Sequence, residues 1–270
     1  MFVQLRAESN TRPSDTRTVL TTQRKQFILA RLARDGQVVA KALSQELETS
    51  EDTIRRDLRE LAQQGQLQRV HGGALPSSAA IGALALRRAV APDDKLAIGR
   101  AGAALVQPGQ VVILDGGTTT VQLARHLPHD LHATVVTHSP GIAVELGEHP
   151  NIELILLGGR VFKHSMVSMG AATLQAAGQI RADLYFMGVT GLHPEAGAST
   201  GDYEEAEMKR ALHARAAETV VMASSEKLGA ASPFVIVPAK AIATLIVPAV
   251  TPRKSLRAYA ALGIAIVAAN

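Results

Sequence analysis

The chain has 270 residues, enough for one large domain and a small one. Apolar residues make up 47 % and charged residues 19 %, the balance of a soluble globular fold. Cysteine is absent, which excludes disulfides, thiolate metal sites and a cysteine nucleophile and suits a reducing compartment. With five Phe, three Tyr and no Trp, a stacking platform for single-stranded nucleic acid is also excluded.

Residues 1–90 carry 14 Lys and Arg against 9 Asp and Glu, while the remainder carries 14 against 15. A basic front segment on a near-neutral body points to a polyanion as partner of the front segment. No apolar run approaches the length of a membrane span, and the first twenty residues have no apolar core flanked by basic residues. They read as a flexible tail (1–20) of a cytoplasmic protein.

From Gln23 onward Phe27, Ile28, Leu32 and Ala33 recur on one helical face. Asp35-Gly36 ends that helix, and a second runs from about Ala40 to Glu48. A tight turn leads to a third helix with Ser50 as its N-cap and Glu51 and Asp52 in the first turn. Its Ile54, Leu58 and Leu61 form an inward stripe, while Arg56 and Arg59 project opposite, with Thr53 and Arg55 on the flanks. Arginines on a helix after a tight turn suit guanine edges and phosphates in a major groove. After Gly65 a short alternating run and His71-Gly72-Gly73 predict a β-wing, whose Arg69 and His71 reach the DNA backbone or minor groove. This makes residues 21–74 a winged helix-turn-helix, residues 75–92 a linker and residues 93–270 a second domain.

The second domain alternates strands and helices. Strands are predicted at 111–114, 134–137, 153–157, 184–189, 219–223, 244–247 and 264–267. Helices are predicted at 92–106, 119–127, 141–148, 171–180, 204–217 and 252–262. Continuous apolar strand runs indicate a mainly parallel sheet covered on both faces, with ligands at the carboxyl ends of its strands. The first strand ends in Asp115-Gly116-Gly117-Thr118-Thr119-Thr120, which reads either as a phosphate cradle at a helix N-terminus or as a strand-to-helix turn with threonine caps. No Walker lysine follows, and no nucleotide or other cofactor is implied. Glu205 and Lys209 are four apart on one helix, and Lys227 lies in a loop. His126, His129 and His132 are interrupted by Pro128 and Asp130, so no metal site is expected.

The run SEDTIRRDLRELAQQG followed by LQRVHGGA closely resembles the DeoR family of bacterial regulators. The series DGGTTT, VVTHSP, LILLGGR, DLYFMGVTG, EEAEMKRAL and SSEKLG resembles, in the same order, that family's sensor domain, which is similar in fold to ribose-5-phosphate isomerase. The resemblance implies DNA contacts from Ser50, Thr53, Arg55 and Arg56. It also implies that Asp115, Thr118 and Thr119, with Gly117 beside them, hold the phosphate or hydroxyls of an effector. Gly159, Asp183, Glu205, Lys209 and Lys227 are implied to line the same pocket. His138 stands where the family usually has Asn, and Ser224 where Asp is common; both changes bear on which sugar is accepted.

The expectation is a homo-oligomeric, sequence-specific repressor of carbohydrate-metabolism genes that is released from double-stranded operator DNA by a phosphorylated sugar or polyol. A sugar-phosphate isomerase-like enzyme, with Asp183, Glu205 and Lys227 as its acid-base groups, is the alternative.

Overall fold

The computed structural model describes residues 13–78 and 84–270, and the chain divides into two compact units between Pro76 and Ser77. In the first unit α1 (Pro13–Asp35) is followed by β1 (Val38–Val39), α2 (Ala40–Glu46), α3 (Glu51–Gln63), β2 (Leu67–Val70) and β3 (Gly73–Pro76). The three short strands form one antiparallel sheet in the order β1-β3-β2. Ile28 and Leu32 of α1, Leu43 of α2 and the Ile54-Leu58-Leu61 stripe of α3 are buried together. Asp57, beside that stripe, is buried and accepts from both ends of the Arg24 guanidinium, which bolts α3 to α1. Of the tail expected over 1–20, residues 13–20 instead open α1, and residues 1–12 lie outside the described residues.

The second unit begins with α4 (Leu84–Ala89), α5 (Pro92–Ala103), β4 (Val111–Leu114), α6 (Thr118–Arg125), β5 (Ala133–Thr137), α7 (Pro140–Leu146) and β6 (Ile152–Leu156). A hairpin of β7 (Arg160–Phe162) and β8 (Val167–Met169) precedes α8 (Ala171–Ala177) and β9 (Ala182–Met187). Then come β10 (Gly191–His193), β11 (Gly197–Thr200), α9 (Tyr203–His213), β12 (Ala216–Met222) and β13 (Phe234–Val237). The chain ends with β14 (Thr244–Pro248), α10 (Arg253–Ala261) and β15 (Ala265–Ala269).

Seven of these strands form one sheet in the order β15-β14-β12-β9-β4-β5-β6, every pair parallel. They are the seven strands expected from the apolar runs. Side chains alternate between two buried faces: Tyr185 and Met187 enter one core, Leu184 and Phe186 the other. The inner strands of such a sheet are covered on both faces and carry no polar alternation, while the edge strands β6 and β15 are partly exposed. A separate antiparallel sheet, β10-β11-β13, has no counterpart in the expectation, nor does the β7–β8 hairpin. Their strands are three or four residues long, too short to establish a period.

The stretch expected as a linker carries defined structure wherever it is described. Leu75 and Pro76 complete β3; Ser77 bridges Ala231, Ser78 Oγ donates to the Thr190 carbonyl, and the Leu84 amide donates to His164 O at 3.1 Å. Residues 79–83 lie outside the described residues. Among the described residues, no helix is long and apolar enough to cross a membrane.

The sheet order has a switch point. From β4 the chain moves outward through β5 and β6, and from the adjacent β9 it moves the other way through β12, β14 and β15. The crevice above the carboxyl ends of β4 and β9 is where such sheets bind ligands. Helix α5 packs so closely on α6 that a Cβ on Gly99 would stand 2.8 Å from backbone atoms of Gln122 and Leu123. Gly99→Ala is therefore expected to cost about 1–3 kcal/mol through overpacking, read as a lower urea midpoint with an unchanged slope.

Candidate functional site

In the first unit, Ser50 caps α3: its Oγ accepts the Thr53 amide at 3.1 Å and lies 2.8 Å from Thr53 Oγ1. Glu51 and Asp52 in the first turn complement the positive end of the helix dipole, and Arg55 bonds Glu51 at 2.7 Å. Arg55, Arg56 and Arg59 are exposed, and among the described residues Arg56 and Arg59 have no carboxylate within 4.0 Å. Arg69 on β2 and His71 in the two-residue turn to β3 are exposed as well. The result is a helix with a buried back and a cationic front, on which Arg55 is paired with Glu51 while Arg56 and Arg59 have no carboxylate partner among the described residues.

In the second unit the switch point is organised by Asp115, the first residue after β4, which is wholly buried. Oδ1 accepts the Gly116 amide at 2.8 Å and lies 2.8 Å from His138 Nε2. Oδ2 accepts the Tyr185 hydroxyl at 2.9 Å, the Gly188 amide at 2.8 Å and Lys209 Nζ at 2.5 Å. Burial by itself pushes this carboxyl up, but the Lys209 charge and the His138 contact outweigh it and hold it well below the ordinary carboxylate range. Lys209, equally buried, is pushed down by desolvation, yet Asp115 and Glu205 raise it on balance. Glu205 lies 3.6 Å from Lys209 and accepts the Thr200 hydroxyl at 2.6 Å. Gly188 is required by the approach of β9 to β4, since a Cβ there would sit 2.9 Å from Gly116 O.

Beside this clamp lies a cavity that opens to solvent, about 550 Å³ with the open space counted. Gly117, Thr118 and Thr119 border it at the N-terminus of α6, with Gly117 at φ 144°, a conformation open to glycine. The amides of these three residues donate to no group among the described residues, as a helix N-terminus dictates. Glu205, Lys209 and Lys227 line the same cavity, as do Arg87, Lys95 and Glu226.

Lys227 is buried without a hydrogen-bonding partner among the described residues. Desolvation, reinforced by Lys95, Arg87 and Lys209 and only partly opposed by Glu226, lowers it to about 8. Burial lowers Lys95 too, but its Nζ is occupied by the carbonyls of Arg87 and Val90. Four buried side-chain polar atoms have no partner among the described residues; three of them, Arg87 Nε, Thr119 Oγ1 and Glu226 Oε2, belong to residues of this cavity. A concentration of unmet polar groups in one place marks a site that a polar ligand completes. Four cations face three carboxylates here, Asp115 included, a balance that favours an anion.

Several expected pocket residues lie elsewhere. Asp183 is the second residue of β9, about 16 Å of strand from Gly188, and its carboxylate accepts the Val111 amide at 2.8 Å. A residue that opens a parallel strand stands at the edge opposite the ligand crevice, which removes Asp183 from the site. His138 is wholly buried behind Asp115, with Nδ1 2.9 Å from Ser168 O, so it positions the clamp and the β7–β8 hairpin without bordering the cavity. Gly159, at φ 152°, lies against Thr173 Oγ1 and Met169 O instead of the cavity. Ser224 is buried and donates to Glu226 Oε1 at 2.7 Å, orienting a pocket carboxylate.

Arg87, Lys95 and Glu226 were not expected. Arg87 sat in an apparent linker and Lys95 in a helix with no visible site; Glu226, adjacent to Lys227, carried the only local signal. Among the described residues, no cluster of three or more His, Asp or Glu side chains is placed to hold a metal ion.

Residues 24–79 match the DeoR-like helix-turn-helix domain family and residues 90–248 the DeoR C-terminal sensor domain family. The HTH-type transcriptional regulator GlpR of Haloferax volcanii is 36 % identical over 215 residues, 78 % of this chain and 83 % of that protein. The glycerol-3-phosphate regulon repressor of Escherichia coli K12 is 31 % identical over 209 residues, 77 % of this chain and 83 % of the repressor. A ribose 5-phosphate isomerase from Methanocaldococcus jannaschii superposes with a TM-score of 0.38 at 18 % identity, over 50 % of this chain and 54 % of the isomerase, a likeness too distant to bear on chemistry.

Losing one partner of a buried charge cluster is costly, so Asp115→Asn is expected to destabilise the second unit by about 3–5 kcal/mol. Because the folded carboxyl is depressed, the stability it adds is complete above its unfolded pKa of about 4 and is lost as pH falls further. Urea midpoints between pH 7 and pH 3 should therefore fall more steeply for the unmodified chain than for the variant.

Proposed function

Because the chain belongs to the DeoR family of helix-turn-helix transcriptional regulators, we propose that it represses carbohydrate-metabolism genes and leaves its operator when a phosphorylated sugar or polyol fills the cavity at the switch point. It is a regulator and not an enzyme. The observation that carries the effector assignment is the cluster of unmet polar groups, Arg87 Nε, Thr119 Oγ1 and the unpartnered Lys227, beside the free amides of α6.

In this reading the phosphate rests on the amides of Gly117, Thr118 and Thr119, where backbone donors and helix dipole both favour an anion, and Lys227 neutralises it. Glu205, held by Thr200 and Lys209, faces the ligand's hydroxyls. Asp115 does not touch the ligand; it fixes Lys209 and the two strand ends. A carboxylate whose two oxygens already accept from five donors is a poor general base, which agrees with a binding role.

On the DNA side, Ser50 and Thr53 at the start of α3 with Arg55, Arg56 and Arg59 along it supply major-groove and phosphate contacts, and Arg69 and His71 supply the wing. One such helix offers few base contacts, so two heads on repeated half-sites of a cytoplasmic homodimer, or a higher oligomer, complete recognition. The effector acts by binding the DNA-free arrangement more tightly than the DNA-bound one.

Operator binding followed by fluorescence anisotropy tests the head. Arg56→Ala should weaken binding by about 1–3 kcal/mol, and unchanged affinity removes Arg56 from the interface. The cavity is tested by pH. Inorganic phosphate is largely a dianion only above about pH 8, so beyond that point its affinity should fall as pH rises further and Lys227 loses its proton. In Lys227→Met the affinity should be low and flat across the same range, and a retained pH dependence assigns the proton elsewhere.

A further inference from the structure

Residue 87 lies between the two family matches, which cover 24–79 and 90–248, and so belongs to neither. Yet the Arg87 side chain lines the cavity together with Lys227 and Thr119. It also lines an adjoining pocket that opens to solvent, with Phe162, His164, Ser165 and Asp202, and so stands where the two spaces meet.

The guanidinium is poorly provided for. Nε is buried with no partner among the described residues, and Nη2 reaches Ser165 Oγ only at 3.3 Å and His164 O at 3.5 Å. Burial pulls its pKa down, and the attraction of Glu205 and Asp115 offsets this only in part. An arginine does not discharge to escape burial, so its N–H groups require acceptors. A planar fork that lacks its bidentate acceptor is matched by a phosphate or carboxylate.

The position of the side chain is set by its surroundings. Lys95, itself buried, holds the Arg87 and Val90 carbonyls, which pins the end of α4. The amide of Leu84 bonds His164 O, which ties the start of α4 to the turn of the β7–β8 hairpin. In chain order α4 is the first helix after the DNA-binding unit.

We propose that Arg87 is an effector-binding residue whose guanidinium grips the ligand's anionic group and thereby clamps α4, the stretch of chain leading out of the DNA-binding unit, onto the body. The inference rests on the phosphate reading of the cavity and adds the route by which occupancy reaches the connecting segment. Each loaded cavity then carries a charge-assisted contact to α4 that an empty one lacks, so ligand binding lowers the local opening of α4.

The test uses the full chain, Arg87→Gln and Arg87→Lys, with inorganic phosphate and a panel of sugar phosphates as probes. Two quantities are read: the dissociation constant, and the rate of trypsin cleavage after the exposed Arg88. Loss of one charged contact should weaken phosphate binding about tenfold or more in Arg87→Gln. Arg87→Lys, which keeps the charge but not the fork, should fall between and serves if the Gln variant folds poorly. Saturating phosphate should slow cleavage after Arg88 in the unmodified chain and much less in Arg87→Gln. Binding by Arg87→Gln within twofold of the unmodified chain, or equal protection of Arg88 in both, overturns the role of Arg87 and leaves the cavity reading standing. Failure of the unmodified chain to bind any of these anions overturns both.

Discussion

A carboxylate with no access to water sits where the two central strands of the sheet end, and the arrangement around the cavity follows from its need for donors. Asp115 is a carboxylate because two backbone amides, a tyrosine, a histidine and a lysine converge on it. Each donor is thereby fixed. The Gly188 amide locks β9 beside β4, Tyr185 is held in the core of the sheet, and Lys209 anchors α9 against the strand ends. His138 carries the tie further, since its other nitrogen meets Ser168 on the β7–β8 hairpin. A buried charge is tolerated only when compensated this fully, and compensation of this kind gives one arrangement of the surrounding elements.

The clamp also decides which charges remain for a ligand. Lys209 is spent on Asp115 and Glu205, and Lys95 on the carbonyls at the end of α4. Lys227 and Arg87 are left facing the N-terminus of α6 without full partners. Desolvated cations beside free backbone amides bind an oxyanion without reorganisation, because the donors are already oriented. In the proposed reading, selectivity for a sugar or polyol falls to the groups that accept or donate hydroxyl hydrogen bonds, Glu205 and its partner Thr200 among them.

Much of this was legible in the sequence, for identifiable reasons. The seven strands of the parallel sheet are mostly apolar runs because the inner ones are covered on both faces, and such runs stand out from Val111–Leu114 to Ala265–Ala269. Ser50, Ile54, Leu58 and Leu61 declared a capped amphipathic helix through their spacing alone. Single positions were harder. Asp183 and Asp115 are both carboxylates at strand ends, but one opens its strand and the other follows it, and only the parallel register puts them at opposite edges of the sheet. Whether His138 faces the cavity or the back of Asp115 depends on a hairpin too short to leave a periodic trace. Arg87 was hidden because a short helix flanked by small residues reads as a linker until its long-range partners are known.

In the proposed reading, the second unit recognises a phosphorylated ligand at the switch point. Thermal unfolding of the full chain against matched pairs of sugar or polyol phosphates and their unphosphorylated counterparts tests it most directly. At least one phosphorylated compound, at about 100 times its dissociation constant, should add about 2.7 kcal/mol of stability while its free counterpart adds none. Equal stabilisation by both members of a pair, or no shift across the whole panel, would contradict it.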